Sequence, residues 1–271
     1  VIPESNHVEP EYHLLTKRVT DQNGSNLLPM VSFHVKEVSI PPYLDDNRLV
    51  HRASRSTIKY LENHRWGEPL GEGVSRVVGL NLSSTFGTLS YSAYPHRPKN
   101  GCHYELGISL ERFEATGQNN VTIEAIIDVF YKSKPMTSFN FNKTIFTTEK
   151  NAHRETEALS DLLSLLSSEI AKRVKSLPLS QVLRIKCGEL TFNEMSLNKS
   201  LDIVKGFLAD HSDSDVKFSV YSENSKVLPE SSTFSHQCND EYLFDIISMI
   251  GEQFSASVHF TSSGIIFSPV H

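Results

Sequence analysis

Residues 31–70 read VSFHVKEVSIPPYLDDNRLVHRASRSTIKYLENHRWGEPL. Val31, Phe33 and Val35 alternate with Ser32, His34 and Lys36, the period-2 pattern of a strand with one buried face. Val38 and Ile40 continue the pattern after a one-residue slip at Glu37. Pro41 and Pro42 end the hydrogen-bonding ladder, because neither has an N–H to donate. A short polar segment and a second strand come next. Trp66-Gly67-Glu68-Pro69-Leu70 then reads as a helix start, since proline is tolerated in the first turn and Glu68 stands where the helix dipole favours an acid. The rest of the chain is arranged around this unit of strand, break, strand and helix.

Working outward toward the N-terminus, Asp21–Asn26 has the composition of a turn and Tyr12–Val19 that of a first strand. Residues 1–10 are polar with two prolines and read as a flexible tether. Toward the C-terminus, Leu70, Val74, Val77 and Val78 follow helical spacing between Glu68 and about Leu82. Thr85–Tyr94 reads as a strand, and Tyr94–Gly101 as a loop with an Asn-Gly turn. Three alternating runs follow, centred on Tyr104–Leu110, Val121–Val129 and Phe139–Ile145, and form an antiparallel meander that joins the sheet. From Ala152 to Ser176 a single stripe of Leu159, Leu162, Leu163, Leu166, Ile170 and Val174 marks the clearest helix. Ser176-Leu177-Pro178 marks the domain boundary, because a residue before proline disfavours helix.

Beyond it, a repeat with an offset of 42 residues emerges: Thr191-Phe192 matches Thr233-Phe234, Leu201 matches Leu243, Val204 matches Ile246, Leu208 matches Ile250, and Val216-x-Phe218 matches Val258-x-Phe260. Each copy reads strand, capped helix, strand, with Ser196 as the cap in the first and Asn239 in the second. Gly264 allows a closing hairpin into Ile265–Phe267.

Composition sets the bounds. The 271 residues carry a formal net charge of −6, with 38% hydrophobic and 21% charged residues. That length suggests two domains. There is no basic stripe to favour nucleic acid and no apolar run long enough to span a membrane. The first residue is Val1 rather than Met, so the natural start is expected upstream, where any signal peptide or lipidated cysteine would lie out of view. Cys102, Cys187 and Cys238 are far apart and show no zinc spacing, and the sequence leaves their disulfide status open.

The search for chemistry returns structural readings. Gly71-Glu72-Gly73 lacks the third glycine and the preceding strand of a nucleotide loop. Asp45, Asp46 and Arg48 read as turn chemistry after the prolines. His51, His64, His96 and His103 have no i, i+4 spacing and read as ordinary histidines. Cys102 and His103, as strand neighbours, point to opposite faces and are poorly placed to cooperate. Trp66 reads as a core plug. Tyr43, Tyr94, Phe139 and Phe141 either line an apolar groove for lipid or pack the sheet. No residue is assigned a catalytic, cofactor-binding or metal-binding role.

Tyr12, Leu14-Leu15, Val38-x-Ile40-Pro41-Pro42-Tyr43-Leu44-Asp45, Arg48-Leu49-Val50 and Trp66-x-Glu68-Pro69-Leu70 together resemble the ABC-type transport auxiliary lipoproteins of Gram-negative bacteria, the PqiC-like family, over residues 11–177. The resemblance implies an α/β, three-layer domain with a mixed β-sheet. It also implies a non-enzymatic periplasmic lipoprotein, anchored to the outer membrane, without cofactor. Its partners would be an MCE-type protein and the permease and ATPase of an ABC transporter in lipid transport. Direct contact with lipid and homo-oligomerisation are left open. Residues 181–271 resemble the short domain shared by secretins and TonB-dependent receptors. That resemblance rests on Leu190-Thr191-Phe192, Ser196-Leu197-x-x-x-Leu201, Val216-x-Phe218 and Gly264-Ile265-Ile266, and implies a small α+β interaction module of βαβ repeats. A structural component of a secretin-type or TonB-linked envelope assembly is the alternative reading. A hydrolase with a dispersed site ranks last, because no motif supports it.

Overall fold

The computed structural model describes residues 8–18, 27–98, 101–117, 119–188, 190–211, 219–222 and 232–270. These fall into two compact units. One comprises the residues up to 171 apart from 27–31; the other comprises 27–31 and the residues from 172 onward.

The first unit is a mixed sheet backed by two helices. Its strands are β1 (Glu11–His13), β2 (Phe33–Val35), β3 (Arg48–Ser54) and β4 (Thr57–Trp66), then, after helix α1 (Leu70–Phe86), β5 (Tyr91–Ala93), β6 (Tyr104–Thr116), β7 (Asn120–Tyr131) and β8 (Lys134–Phe146). Helix α2 (Ala152–Lys175) closes the unit, with its last turn in the second one. The strand order is β1-β4-β3-β6-β2-β5, and β7 and β8 continue from the other edge of β6. The β6-β7-β8 meander is antiparallel, as the alternation requires. β6 is long enough for β2 to pair with its beginning and β3 with its end, both parallel, with a bridge from Ser39 to Ser109 between them.

Both helices cover one face of this sheet. Phe33 meets Phe86 of α1 edge-on, and His51, paired with Ala115 of β6, bonds Glu155 of α2. Asn81 of α1 donates to Ser167 of α2 at 3.4 Å, so the helices lie side by side. The expected third layer is therefore absent from this unit as described. Along β6 and β7 alternate residues such as Leu106, Ile108, Ile127 and Val129 are buried, while their neighbours stay partly exposed. An antiparallel sheet tolerates one face in water. The six apolar residues of the expected α2 stripe are all buried.

Other local expectations change. The second strand of the opening stretch is a hairpin, β3 and β4, whose arms pair from Arg48↔Arg65 to Ser54↔Thr57. The first strand is only Glu11–His13; Val19 and the turn at Asp21–Asn26 lie outside the described residues. Thr85–Tyr94 is not a strand throughout, since α1 runs to Phe86. Gly87 at φ 68° then caps it, and the Gly87 and Thr88 N–H groups bond back to Ser84 and Ser83. Glycine holds this left-handed position without a Cβ penalty. Pro69 occupies the position before the helix, and the carboxylate of Glu68 is taken by Arg76.

The second unit contains α3 (Pro178–Arg184), β9 (Lys186–Cys187), β10 (Thr191–Met195), α4 (Leu197–His211), β11 (Ser219–Ser222), β12 (Phe234–Gln237), β13 (Glu241–Tyr242), α5 (Leu243–Gln253), β14 (Ala256–Phe260) and β15 (Gly264–Pro269). The opening strands of the two copies, β10 and β12, pair antiparallel and stack Phe192 on Phe234 edge-on. The repeat-related Leu201, Val204, Leu208, Leu243, Ile246 and Ile250 are all buried. Val216-x-Phe218 lies outside the described residues. The β14–β15 hairpin closes where Gly264 was expected to permit it. Asn239 does not cap α5, which begins at Leu243: Glu241 and Tyr242 pair with Cys187 and Lys186, and the Leu243 N–H bonds Ile185 O at 2.8 Å.

Candidate functional site

In the first unit the turn Leu44–Asn47 and the link Trp66–Leu70 line one cleft of about 370 Å³. Pro41 and Pro42 begin it: lacking N–H groups, they offer only carbonyls, which accept from Leu44 N–H at 2.9 Å and Asp45 N–H at 3.2 Å. The two walls are joined by Trp66 N–H to Asn47 O at 2.6 Å, and Gly67 N–H reaches His13 O at 2.8 Å. Trp66 is 8% exposed and shares a void of only about 10 Å³ with Leu44, Leu49, Phe113 and Leu159, so it plugs the core behind the cleft. Asp46 accepts the Arg48 N–H at 2.8 Å and its guanidinium at 2.9 Å through both oxygens. Those bonds hold its carboxyl down at about 2. The Asp45–Arg48 segment is thus turn chemistry, as the sequence suggests.

Tyr43 fixes the turn from behind. Its hydroxyl donates to Glu114 Oε2 at 2.7 Å, and its carbonyl accepts from Tyr60 at 3.2 Å. Glu114 is 1% exposed and also receives Arg52 Nε at 2.6 Å and Arg112 Nε at 2.9 Å. Burial pushes the Glu114 carboxyl up, but the bonds from Arg52, Tyr43 and Arg112 outweigh it and hold the pKa below the ordinary value. Burial, with the bond to Glu114, raises the Tyr43 phenol to about 12. Tyr43 therefore belongs to a charge network rather than an apolar groove. Phe139 and Phe141 face Ile127 and Ala125 across β8 and β7, and Tyr94 is raised chiefly by the charge of Glu37.

The histidines separate. His51 pairs with Glu155, His103 accepts from Ser32 N–H at 3.0 Å, and His96 N–H bonds Ala93 O in the loop after β5. His64 meets His13, a residue the sequence did not single out: His13 Nε2 lies 3.1 Å from His64 Nδ1, and Glu11 Oε2 lies 3.4 Å from the same nitrogen. Burial chiefly lowers the His13 pKa, Glu11 opposes it, and His64 and His153 reinforce it. Cys102 is pushed up to about 11 by burial, and His103 does not activate it. Gly71 lets α1 approach the Val38 carbonyl, which a Cβ would meet at 3.3 Å, so the Gly-Glu-Gly segment serves packing.

In the second unit all cysteines are free, as is Cys102 in the first. Cys187 and Cys238 are buried beside each other, and burial raises Cys187 to about 12. His236 Nε2 lies 2.7 Å from Glu241 Oε2, near Cys238. A groove of about 530 Å³ runs between β12 and α5, lined by Phe234, His236, Met249 and Gln253 among others.

Fold and cleft together define a small mixed-sheet domain whose distinctive residues build turns, caps and a shallow cleft. The chain belongs to the family of ABC-type transport auxiliary lipoprotein components, whose model matches residues 12–171. That is a family of auxiliary transport components and is not known as one of enzymes. A crystal structure of an uncharacterized protein is similar at TM-score 0.52 and 17% identity, covering 62% of this chain and 99% of the other. A Xanthomonas campestris protein of the DUF330 family is similar at TM-score 0.52 and 18% identity, covering 59% and 92%. A PelC dodecamer from Paraburkholderia phytofirmans follows at TM-score 0.31 and 12% identity, covering 50% and 88%. No curated protein matches the sequence. Among the described residues no helix is long and apolar enough to cross a membrane.

Proposed function

We propose that this protein is a periplasmic lipoprotein, anchored to the outer membrane by a lipid upstream of Val1, that serves an MCE-linked lipid transport system. It acts without catalysis, through contacts with an MCE-type protein and with the permease and ATPase of the transporter. One observation carries the reading: the motif residues of the matched family region, Leu44-Asp45 and Trp66–Leu70, converge on a single open cleft. They are held there by backbone bonds and ion pairs, an arrangement suited to presenting a shaped surface. Tyr12 and Leu14, 63% and 52% exposed, lie on and just beyond the edge strand β1, and Leu14 packs over Gly67 at the cleft. Exposed apolar residues beside a strand edge that is unpaired among the described residues suit a protein partner.

The second unit serves as an additional interaction module of the secretin/TonB short-domain kind. Its two strand-helix copies support this, as do the edges of the two-stranded β10–β12 sheet, which pair with no further strand among the described residues, because an open edge accepts an added strand. The test is in-cell crosslinking of the full-length protein from a photoreactive residue at Tyr12 or Asn47, followed by mass spectrometry. Recovery of an MCE-type protein, permease or ATPase supports the reading. Recovery of secretin or pilus components alone would overturn it and assign the function to the second unit.

A further inference from the structure

We propose that Glu11, His13 and His64 form a binding site for a late first-row divalent cation, zinc above all, that clips β1 onto β4. The two strands run parallel with Glu11 opposite His64 and His13 opposite Trp66. Residues two apart on a strand share a face, so Glu11, His13 and His64 project to the same side as the buried Trp66. Their ligand atoms all lie within 4.8 Å of one another. The two separations from His64 Nδ1, 3.1 Å to His13 Nε2 and 3.4 Å to Glu11 Oε2, bracket the tetrahedron edge of about 3.3 Å that metal–ligand bonds of about 2.0–2.1 Å generate.

A hydrogen bond between two imidazoles accounts for the first contact alone. The Nδ1 atom has one in-plane direction, carrying either a proton or a lone pair, yet two electron-rich atoms converge on it. A cation at the common point satisfies all three. Two imidazole nitrogens and one carboxylate suit zinc and its neighbours rather than calcium or magnesium, which prefer oxygen. Water completes a four-coordinate set. β1 has three residues and, among the described residues, a single strand neighbour. A cation there ties the first strand of the domain to a residue 51 positions along the chain.

The test uses the full chain, stripped with EDTA and titrated with zinc against a chromophoric chelator. His13 is buried, so the variants are Glu11→Gln and His64→Gln at the more exposed positions, with Cys238→Ser as the control for the thiol-containing cluster; circular dichroism checks that each folds. Expected is one equivalent of zinc, lost in His64→Gln, weakened by more than about ten-fold in Glu11→Gln, and unchanged in Cys238→Ser. Zinc slows amide exchange at Tyr12–Leu14. Cobalt gives a tetrahedral visible spectrum without thiolate charge transfer. Absence of binding, or binding that survives His64→Gln, or a spectrum dominated by thiolate charge transfer, overturns the proposal.

Discussion

Replacing Glu114 with Gln tests whether the motif turn is held by a buried charge. The carboxylate is 1% exposed and takes bonds from Arg52, Arg112 and Tyr43. Glutamine keeps the shape but leaves two guanidiniums facing a neutral amide. Removing one partner of a buried ion pair costs about 3–5 kcal/mol. The lower end applies here, because Arg52 and Arg112 retain 19% and 28% side-chain exposure and can turn toward water, and Arg112 keeps Glu124 at 2.8 Å. With a urea slope of about 2 kcal/mol per M, a loss of about 3 kcal/mol lowers the midpoint by about 1.5 M. Trp66 is the only tryptophan and is buried in the first unit, so its emission follows that unit.

The same substitution has a pH signature. The Glu114 pKa is depressed in the folded state, so its contribution is present above the unfolded carboxylate value, about 4.3, and is lost as pH falls through the folded value. The gap between wild type and Glu114→Gln is therefore constant near neutrality and closes below about pH 4. A midpoint change under about 0.5 M at pH 7, or a gap that persists undiminished in acid, would refute the reasoning.

Trp66→Ala removes the plug behind the cleft and destabilises the first unit by about 3–5 kcal/mol, read by circular dichroism because the fluorophore is gone. Tyr43→Phe removes a bond to a charged acceptor and costs about 1.5–3 kcal/mol, toward the lower end because the turn is partly exposed; equal urea midpoints would show that the phenol does not hold the turn. Gly251→Ala drives a Cβ to 2.7 Å from Val258 Cγ2 and 3.0 Å from Ala256 O, and destabilises the second unit by about 1–3 kcal/mol, seen as faster amide exchange in β14. Cys187 and Cys238 resist alkylation at neutral pH in the native protein and react at once in denaturant, because both thiols are buried and held protonated; rapid native labelling of either residue would contradict that packing.

The sequence by itself determined the elements whose signal is local and periodic. The β6-β7-β8 meander follows from strict alternation, and α2 from a leucine stripe that proves fully buried. In the second unit the matched helix positions Leu201, Val204, Leu208, Leu243, Ile246 and Ile250 are buried, while Val216-x-Phe218 lies outside the described residues. The family resemblance was legible because its motif residues are turn-formers and cleft-liners, whose roles depend on backbone chemistry close by in the chain. Where a short polar segment hid a turn, as at Arg55-Ser56, the pattern merged two strands into one. Where glycine ended a helix late, at Gly87, the following strand was drawn too long. The tertiary structure alone decided which charges meet. Tyr43 and Glu114 are 71 residues apart, and His13 and His64 are 51 apart. No periodicity records such separations, because register between distant strands is fixed by the packing of the whole sheet. For the same reason only the fold could place both helices on one face.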